Sequence, residues 1–336
     1  MKKLIACASM FAALLFVTGA ALAAEGVKPV ANWDMLVQNS LTHPGSVLCA
    51  DFAALVEERS GGRIKITVRA PGELPYQTPE YLVAVGDGAA AIADINSANF
   101  GPLKVGALCN LPFLMKSQRE YMDVMDMLRE ETASELAAFN VKYLYHFLWP
   151  PQSLWTKNKE LAGFKDVSGM KIRTSTAEFA RFIQTVGAVP VTMAGAEVPT
   201  ALQTNAIEGA VTAAMGLGGA GWYDSLKFGL MTFISFSPSY MCVNQDAYDA
   251  LPEDLQKILI AAAAEFEVVH NDGMMNSNNE WRERLVKEYG FVIHDATEED
   301  NAAAQKSMIA YWDEWVKRRG GKAPEYLQKV REFLGV

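Results

Sequence analysis

The 336-residue chain is poor in the residue patterns that most chemistry needs. It holds four cysteines and four histidines. None of the cysteines has CxxC spacing, and His43, His146, His270 and His294 are scattered without metal-ligand spacing. No Gly-rich phosphate loop, HExxH or GxSxG occurs, which removes the usual signatures of nucleotide, zinc-hydrolase and serine-hydrolase chemistry. His43 and Cys49 fall on a turn and on a helix, so a nucleophile pair is not indicated. Positive charge is also short, with 30 Lys and Arg against 39 Asp and Glu and a formal charge of −9. That balance argues against nucleic acid or an anionic membrane surface as partner.

What is present describes a globular protein with a large core. Hydrophobic residues make up 50% and charged residues 21% of the chain, and its length predicts two lobes. The first residues, MKKLIACASMFAALLFVTGAALA, combine two lysines, an apolar run from Leu4 to about Val17, and Ala21 and Ala23 at the −3 and −1 positions. They predict a Sec signal peptide over residues 1–23, cleaved after Ala23, and an exported product without direct membrane insertion. Cleavage removes Lys2 and Lys3, taking the formal charge to −11, and also removes Cys7. Cys49, Cys109 and Cys242 remain in apolar segments, where three buried thiols are expected ahead of a disulfide.

In chain order, Val30 to Gln38 reads as a strand, THPG turns into a helix from Ser46 to Glu58, and RIKITVR at Arg63 to Arg69 is a second strand. A helix from about Thr78 to Val85, a strand from Ala89 to Ile95, a long amphipathic helix from Ser117 to Phe139 and a strand from Val141 to Leu148 come next. Alternating units of this kind predict an open α/β sheet, with ligands beyond the carboxyl ends of the strands. WPP at Trp149 to Pro151 is expected to interrupt this lobe, since successive prolines oppose both helix and sheet pairing. A second α/β series begins at Leu154. Phe233 to Asn244 is a β-type run that could return to the first lobe, and Pro252 to Tyr289 is a helical stretch long enough to span both. The strand FVIHD, a helix from Glu298 to about Arg318 and a short helix from Pro324 end the chain. The expected division is a first lobe of 24–150 plus about 236–275 and a second of 151–235 plus about 276–336.

Within the second lobe, Ser168 to Thr212 sets Arg173 at the end of a short strand, Met170 to Ile172, among few other charges. An arginine so placed is suited to an anion. Guanidinium forms two parallel charge-assisted hydrogen bonds to a carboxylate, which lysine does poorly. Arg181, within an amphipathic helix, reads as a surface charge.

The leader, FAALVEERSGGRIKITVRAPGELPY, LPFLM, GMKIR, ALQTNAIEGA and NQDAYDALPEDLQKILIAAAAEFE together resemble the DctP-type substrate-binding proteins of tripartite ATP-independent periplasmic (TRAP) transporters. The resemblance covers essentially the whole mature chain in consistent order. It implies an α/β periplasmic binding protein of two lobes with a hinge cleft and a long helix spanning both lobes. Such a protein closes on a small organic acid without a cofactor and hands it to the TRAP permease membrane subunits, and a monomer is the default state. It also implies that Arg173 is the carboxylate clamp. A ligand-sensing protein docking on a receptor would need the same closure.

Two departures bear on the ligand. Thr174 and Ser175 come after Arg173 where many members carry a proline, and the second arginine of sugar-acid binders is replaced by Ser153. A dicarboxylate or doubly anchored ligand is therefore disfavoured. Around Ser153 the chain is aromatic, with Phe147, Trp149 and Trp155, and Phe100, Trp222 and Tyr223 lie at other candidate cleft positions. Thr212, Met215 and the glycines up to Gly221 stand where polar contacts are expected. These residues predict a hydrophobic or aromatic monocarboxylate or an aromatic amino acid as ligand. Asn39, His43 and Glu73 should face the cleft from the first lobe, Glu73 as a candidate acceptor for a ligand ammonium.

Overall fold

A computed structural model describes residues 28–96 and 99–336. The expected signal peptide lies outside the described residues. The chain forms two sheets. The first contains β1 (Ala31–Leu36), β2 (Ile64–Arg69), β3 (Ile92–Asn96), β4 (Val141–Pro151) and β10 (Phe236–Asn244), in the order β2-β1-β3-β10-β4. The second contains β5 (Ser153–Thr156), β6 (Lys171–Thr174), β7 (Val189–Thr192), β8 (Gly209–Thr212), β9 (Phe228–Met231) and β11 (Val292–Asp295), in the order β11-β9-β5-β8-β6-β7. In the first sheet β1 is parallel to β2 and β3, while β10 runs antiparallel to β3 and β4. The architecture is a mixed α/β fold of two lobes.

Helices pack on both sheets: α1 (Pro44–Arg59), α2 (Tyr81–Gly86) and α3 (Gln118–Ala137) on the first, α4 (Ala177–Thr185), α5 (Val198–Gln203) and α6 (Ala214–Gly219) with the second. The short α7 (Gln245–Asp249) precedes α8 (Glu253–Lys287), and α9 (Glu298–Arg319) and α10 (Ala323–Leu334) close the chain. Local sequence explains their ends. His43 caps α1 by accepting the Gly45 N–H at 3.1 Å, with Pro44 in the first turn, where its missing N–H costs nothing. Gly61 and Gly62, just beyond, have positive φ and end that helix. Ser117 and Thr176 cap α3 and α4 in the same manner. Cys49, Cys109 and Cys242 are buried free thiols.

The WPP segment behaves differently from expectation. β4 continues through Pro150 and Pro151, and Pro151 pairs with Phe236 of β10. β4 is an edge strand with β10 on one side only, so prolines that donate no hydrogen bond are tolerated there. Its open side is covered by Asn271 of α8. The Asn271 amide accepts the Leu148 N–H at 3.0 Å and donates to the His146 carbonyl at 3.1 Å, as a neighbouring strand would.

Three connections join the lobes. β4 enters β5 through Gln152, and β9 leaves to β10 through Thr232 to Ser235. The two crossings are tied by Gln152 N–H to Ser235 O (2.9 Å) and Ile234 N–H to Gln152 O (3.1 Å). The third is α8, whose 35 residues extend for about 52 Å. It grips the first lobe through Asn271 and the second through Asn278, which accepts the Met215 N–H of α6 at 3.1 Å. Helix α9 also bridges. The Trp312 indole N–H reaches the Pro112 carbonyl (2.9 Å) and the Trp315 indole N–H reaches Glu178 of α4 (2.8 Å).

The Gly/Ala-rich run of α6 is a close-packing device. A Cβ on Gly218 would stand 2.1 Å from the Trp281 ring of α8, and one on Gly219 would stand 2.5 Å from the His43 ring. Only hydrogen fits at either place, so α6 wedges between α8 and the first turn of α1.

The buried polar groups have measurable consequences for stability. Asn271→Ala leaves the Leu148 N–H and the His146 carbonyl without partners, and denaturant unfolding should show a loss of about 1–3 kcal/mol. Burial also lowers His43 and His146 to about 4 and His270 to about 3, and raises Asp94 to about 7. Below pH 6.5 the unfolded chain protonates the three imidazoles and the folded chain does not, so their contribution falls as pH drops towards 4. Asp94 acts oppositely, since its folded carboxyl keeps its proton up to pH 7 and its contribution is lost as pH rises through that value. Three imidazoles outweigh one carboxyl between pH 4 and 6.5, so melting points should fall with acid in that window. His43→Asn keeps a capping side chain and removes one titrating group. It should flatten the slope by up to about 1.4 kcal/mol per pH unit.

Candidate functional site

Arg173 is the third residue of β6, between β7 and β8, opposite Val191 and Ala210. Its side chain is turned inward and the residue is 7% exposed. Nε and Nη2 both donate to the Met193 carbonyl, at 3.1 and 3.0 Å, and Nη1 donates to the Val211 carbonyl at 3.4 Å. The guanidinium carbon lies 5.5 Å from the centroid of the Trp222 ring. Among the described residues no carboxylate stands at ion-pair distance. The charge it feels is that of Glu197, whose Oε2 accepts the Ala194 N–H at 2.8 Å instead. Burial therefore pushes Arg173 down to about 10, with Glu197 partly opposing. A guanidinium has five N–H groups, and this arrangement leaves one free on each terminal nitrogen, the pair that a carboxylate engages.

Around this charge the second lobe supplies Trp222, buried at 4%, and Thr212 at the end of β8. Thr212 lies opposite Ser153 in the β5 register, and its carbonyl accepts the Trp155 indole N–H at 2.8 Å. The Ser153 hydroxyl is engaged within the sheet, donating to Thr232 O (3.0 Å) and accepting from Thr232 N–H (3.1 Å). Met215, the second residue of α6, packs into the core cluster of the first lobe beside half-buried Trp149.

From the first lobe, Trp149 presents its ring against His43 at 5.7 Å. Its indole N–H donates to Ser239 Oγ at 2.9 Å, and the Ser239 hydroxyl hydrogen-bonds Asp94 in turn. The indole is thereby held in one orientation. Asn39 lies in the loop between β1 and α1, and its carbonyl accepts from the Ser46 hydroxyl at 3.2 Å.

The other candidates lie elsewhere. Glu73 is exposed in the turn after β2, where it accepts the Ala70 N–H at 3.1 Å and pairs with Arg69 at 3.6 Å. Phe100 is buried in the first lobe, stacked on Tyr240 with centroids 4.9 Å apart. Phe147 stacks on His270 at 3.8 Å, and Trp155 is wholly buried within the core of the second lobe. Tyr223 packs on Tyr289 at 4.1 Å. Two open cavities of about 350 and 340 Å³, one beside Lys157 and Lys171 and one beside Asp51 and Glu265, do not include Arg173.

Several contributors carried no readable signal. The Met193 and Val211 carbonyls act through backbone, and Ser239 is one serine of a β run. Asn271 and Asn278 lie two turns apart on α8, and that spacing of two asparagines on one helix face could have marked them.

Known proteins place these features in a family. A profile of the DctP family, described as bacterial extracellular solute-binding protein family 7, matches residues 38–319. The C4-dicarboxylate-binding periplasmic protein DctP of Rhodobacter capsulatus is 26% identical over 282 residues, covering 81% of this chain and 83% of its own. Among solved structures, DctP6 of Bordetella pertussis, an extracytoplasmic solute receptor binding pyroglutamic acid, superposes with a TM-score of 0.83 at 25% identity, covering 90% of this chain and 99% of that one. A TRAP periplasmic solute-binding protein of Desulfovibrio salexigens with bound orotic acid gives 0.81 at 18% identity, covering 90% and 97%. Among the described residues no helix is long and apolar enough to cross a membrane. A profile match over most of the chain shows that the protein belongs to the DctP family as a TRAP-type substrate-binding protein and not an enzyme.

Proposed function

We propose that the protein captures a small organic carboxylate in the periplasm and delivers it to TRAP permease membrane subunits, with Arg173 as the carboxylate clamp. The observation that carries this reading is the buried guanidinium held by carbonyls alone. Isolating a cation from water is costly unless an anion and its hydrogen bonds replace the hydration. A ligand carboxylate would accept the two free N–H groups and supply the missing charge.

The ligand we infer is a hydrophobic or aromatic monocarboxylate. Trp222 beside Arg173 and the oriented, half-buried Trp149 of the first lobe would offer aromatic surface, whereas Met215 is spent in the core. Ser153 supplies no second cation. Between a plain acid and an aromatic amino acid, the engagement of Glu73 with Arg69 and the Ala70 N–H favours the acid. Pyroglutamate and orotate, bound by the similar proteins, are compact monocarboxylates with polar rings, so they support the single carboxylate and not the apolar part of this reading.

Isothermal titration with phenylacetate, indole-3-acetate, tryptophan, succinate and glucuronate tests the reading. Aryl acids should bind more tightly than tryptophan, and indole-3-acetamide should not bind. Arg173→Ala should cost about 2–5 kcal/mol of affinity for whichever acid binds. Unchanged affinity in that variant would sink the clamp. Binding of succinate or glucuronate alone would overturn the apolar specificity and leave the clamp standing.

A further inference from the structure

Away from the cleft, three side chains of the first lobe converge on one point. Asp126 of α3, His146 of β4 and Glu267 of α8 bring one ligating atom each to within 4.8 Å of one another. His146 Nε2 stands 3.6 Å from Glu267 Oε1 and 3.9 Å from Asp126 Oδ1. Both separations exceed hydrogen-bond reach. Nε2 has no hydrogen-bond partner although the residue is 0% exposed. Atoms sharing a tetrahedral ion at ~2.0–2.1 Å lie about 3.3–3.4 Å apart. The two spacings are therefore long for hydrogen bonds and close to those around a common cation.

The charge now at this place belongs to Arg129. Its Nη2 lies 2.6 Å from Asp126 Oδ1 and 2.6 Å from Glu267 Oε1, the same two oxygens that face Nε2. It neutralises the carboxylates and leaves the buried nitrogen unserved, whereas a metal ion would engage all three atoms. The Arg129 side chain is 34% exposed, so it can turn out to solvent without disturbing the core. On the other side of the ring, the Tyr143 hydroxyl contacts His146 Nδ1. A partner at one ring nitrogen orients the other as a ligand, the usual support for a metal-bound histidine.

We propose that Asp126, His146 and Glu267 form a divalent transition-metal site for which Arg129 is the built-in competitor. One imidazole with two carboxylates suits Zn²⁺ or a neighbouring transition ion better than Mg²⁺ or Ca²⁺, which take oxygen ligands. The guanidinium withdraws as the ion enters. The ion would cross-link α3, β4 and α8, fastening the long helix to the edge strand beside its Asn271 contact.

Titration of chelator-treated full-length protein with ZnCl₂ at pH 7, read by calorimetry, tests the site. One saturable site is expected. Asp126→Asn, at a side chain 57% exposed and so neutral for folding, should weaken it by roughly tenfold or more, as should Glu267→Gln. Arg129→Gln removes the competitor and should tighten binding by a similar factor. His294→Ala, which breaks the separate exposed His294–Glu160 contact at 2.7 Å, should leave it unchanged. The proposal falls if neither the wild type nor Arg129→Gln shows a saturable site. It falls equally if binding persists in both Asp126→Asn and Glu267→Gln, or disappears in His294→Ala.

Discussion

The structure turns on a positive charge taken out of water without a negative one to meet it. Burying a guanidinium is costly, and two backbone carbonyls recover only part of its lost hydration. Met193 and Val211 can direct their carbonyls at Arg173 because β6 lies between β7 and β8, whose ends bring those two residues together. Glu197 is near enough to be felt, but its carboxylate is spent on the Ala194 N–H. The second lobe thus holds a cation whose remaining donors point where no residue of its own answers them.

Orienting that cation against the opposite lobe is the task of α8 and α6. Asn271 substitutes for a missing strand at the edge of the first sheet, and Asn278 fastens the first turn of α6 in the second lobe. The two asparagines lie on one helix face about two turns apart, so one rigid element registers both lobes. The glycines of α6 complete the fit, since only hydrogen can occupy the space against Trp281 and His43. Side chains there would force α6 away from α1 and pull Met215 out of the first-lobe core.

Much of this was legible in the sequence. Arg173 could be read from its strand and its lack of charged company, and the long helix from its uninterrupted period. The prolines of β4 misled because a proline is excluded from central strands only, and sequence does not reveal which strand is the edge. The aromatics divided unpredictably for a related reason. Phe147, Trp149 and Trp155 are neighbours in the chain, but Phe147 and Trp155 turn into cores while Trp149 stays half-buried, held by Ser239 from a distant strand. Alternation along a strand assigns faces only when the strand is known to continue, and β4 gives way to β5 at Gln152. The Gly/Ala-rich run looked like a softened ligand wall, and close helix contacts account for it.

In the proposed site, a single buried charge among apolar walls would also set the logic of discrimination. An apolar surface distinguishes ligands weakly, by about 1–3 kcal/mol for a methylene gained or lost. A desolvated guanidinium is far stricter, because a ligand without a carboxylate leaves it unpaired in a closed cleft and bears the full penalty of that state. The two parts act on different features of the ligand. On the proposed reading, Arg173 would enforce the presence and direction of one acid group, and the aromatic surfaces would tolerate variation in the rest of the ligand. Having Ser153 in place of an arginine would then remove the second strict test, widen the range of acids accepted and shift the remaining selectivity onto size and hydrophobicity.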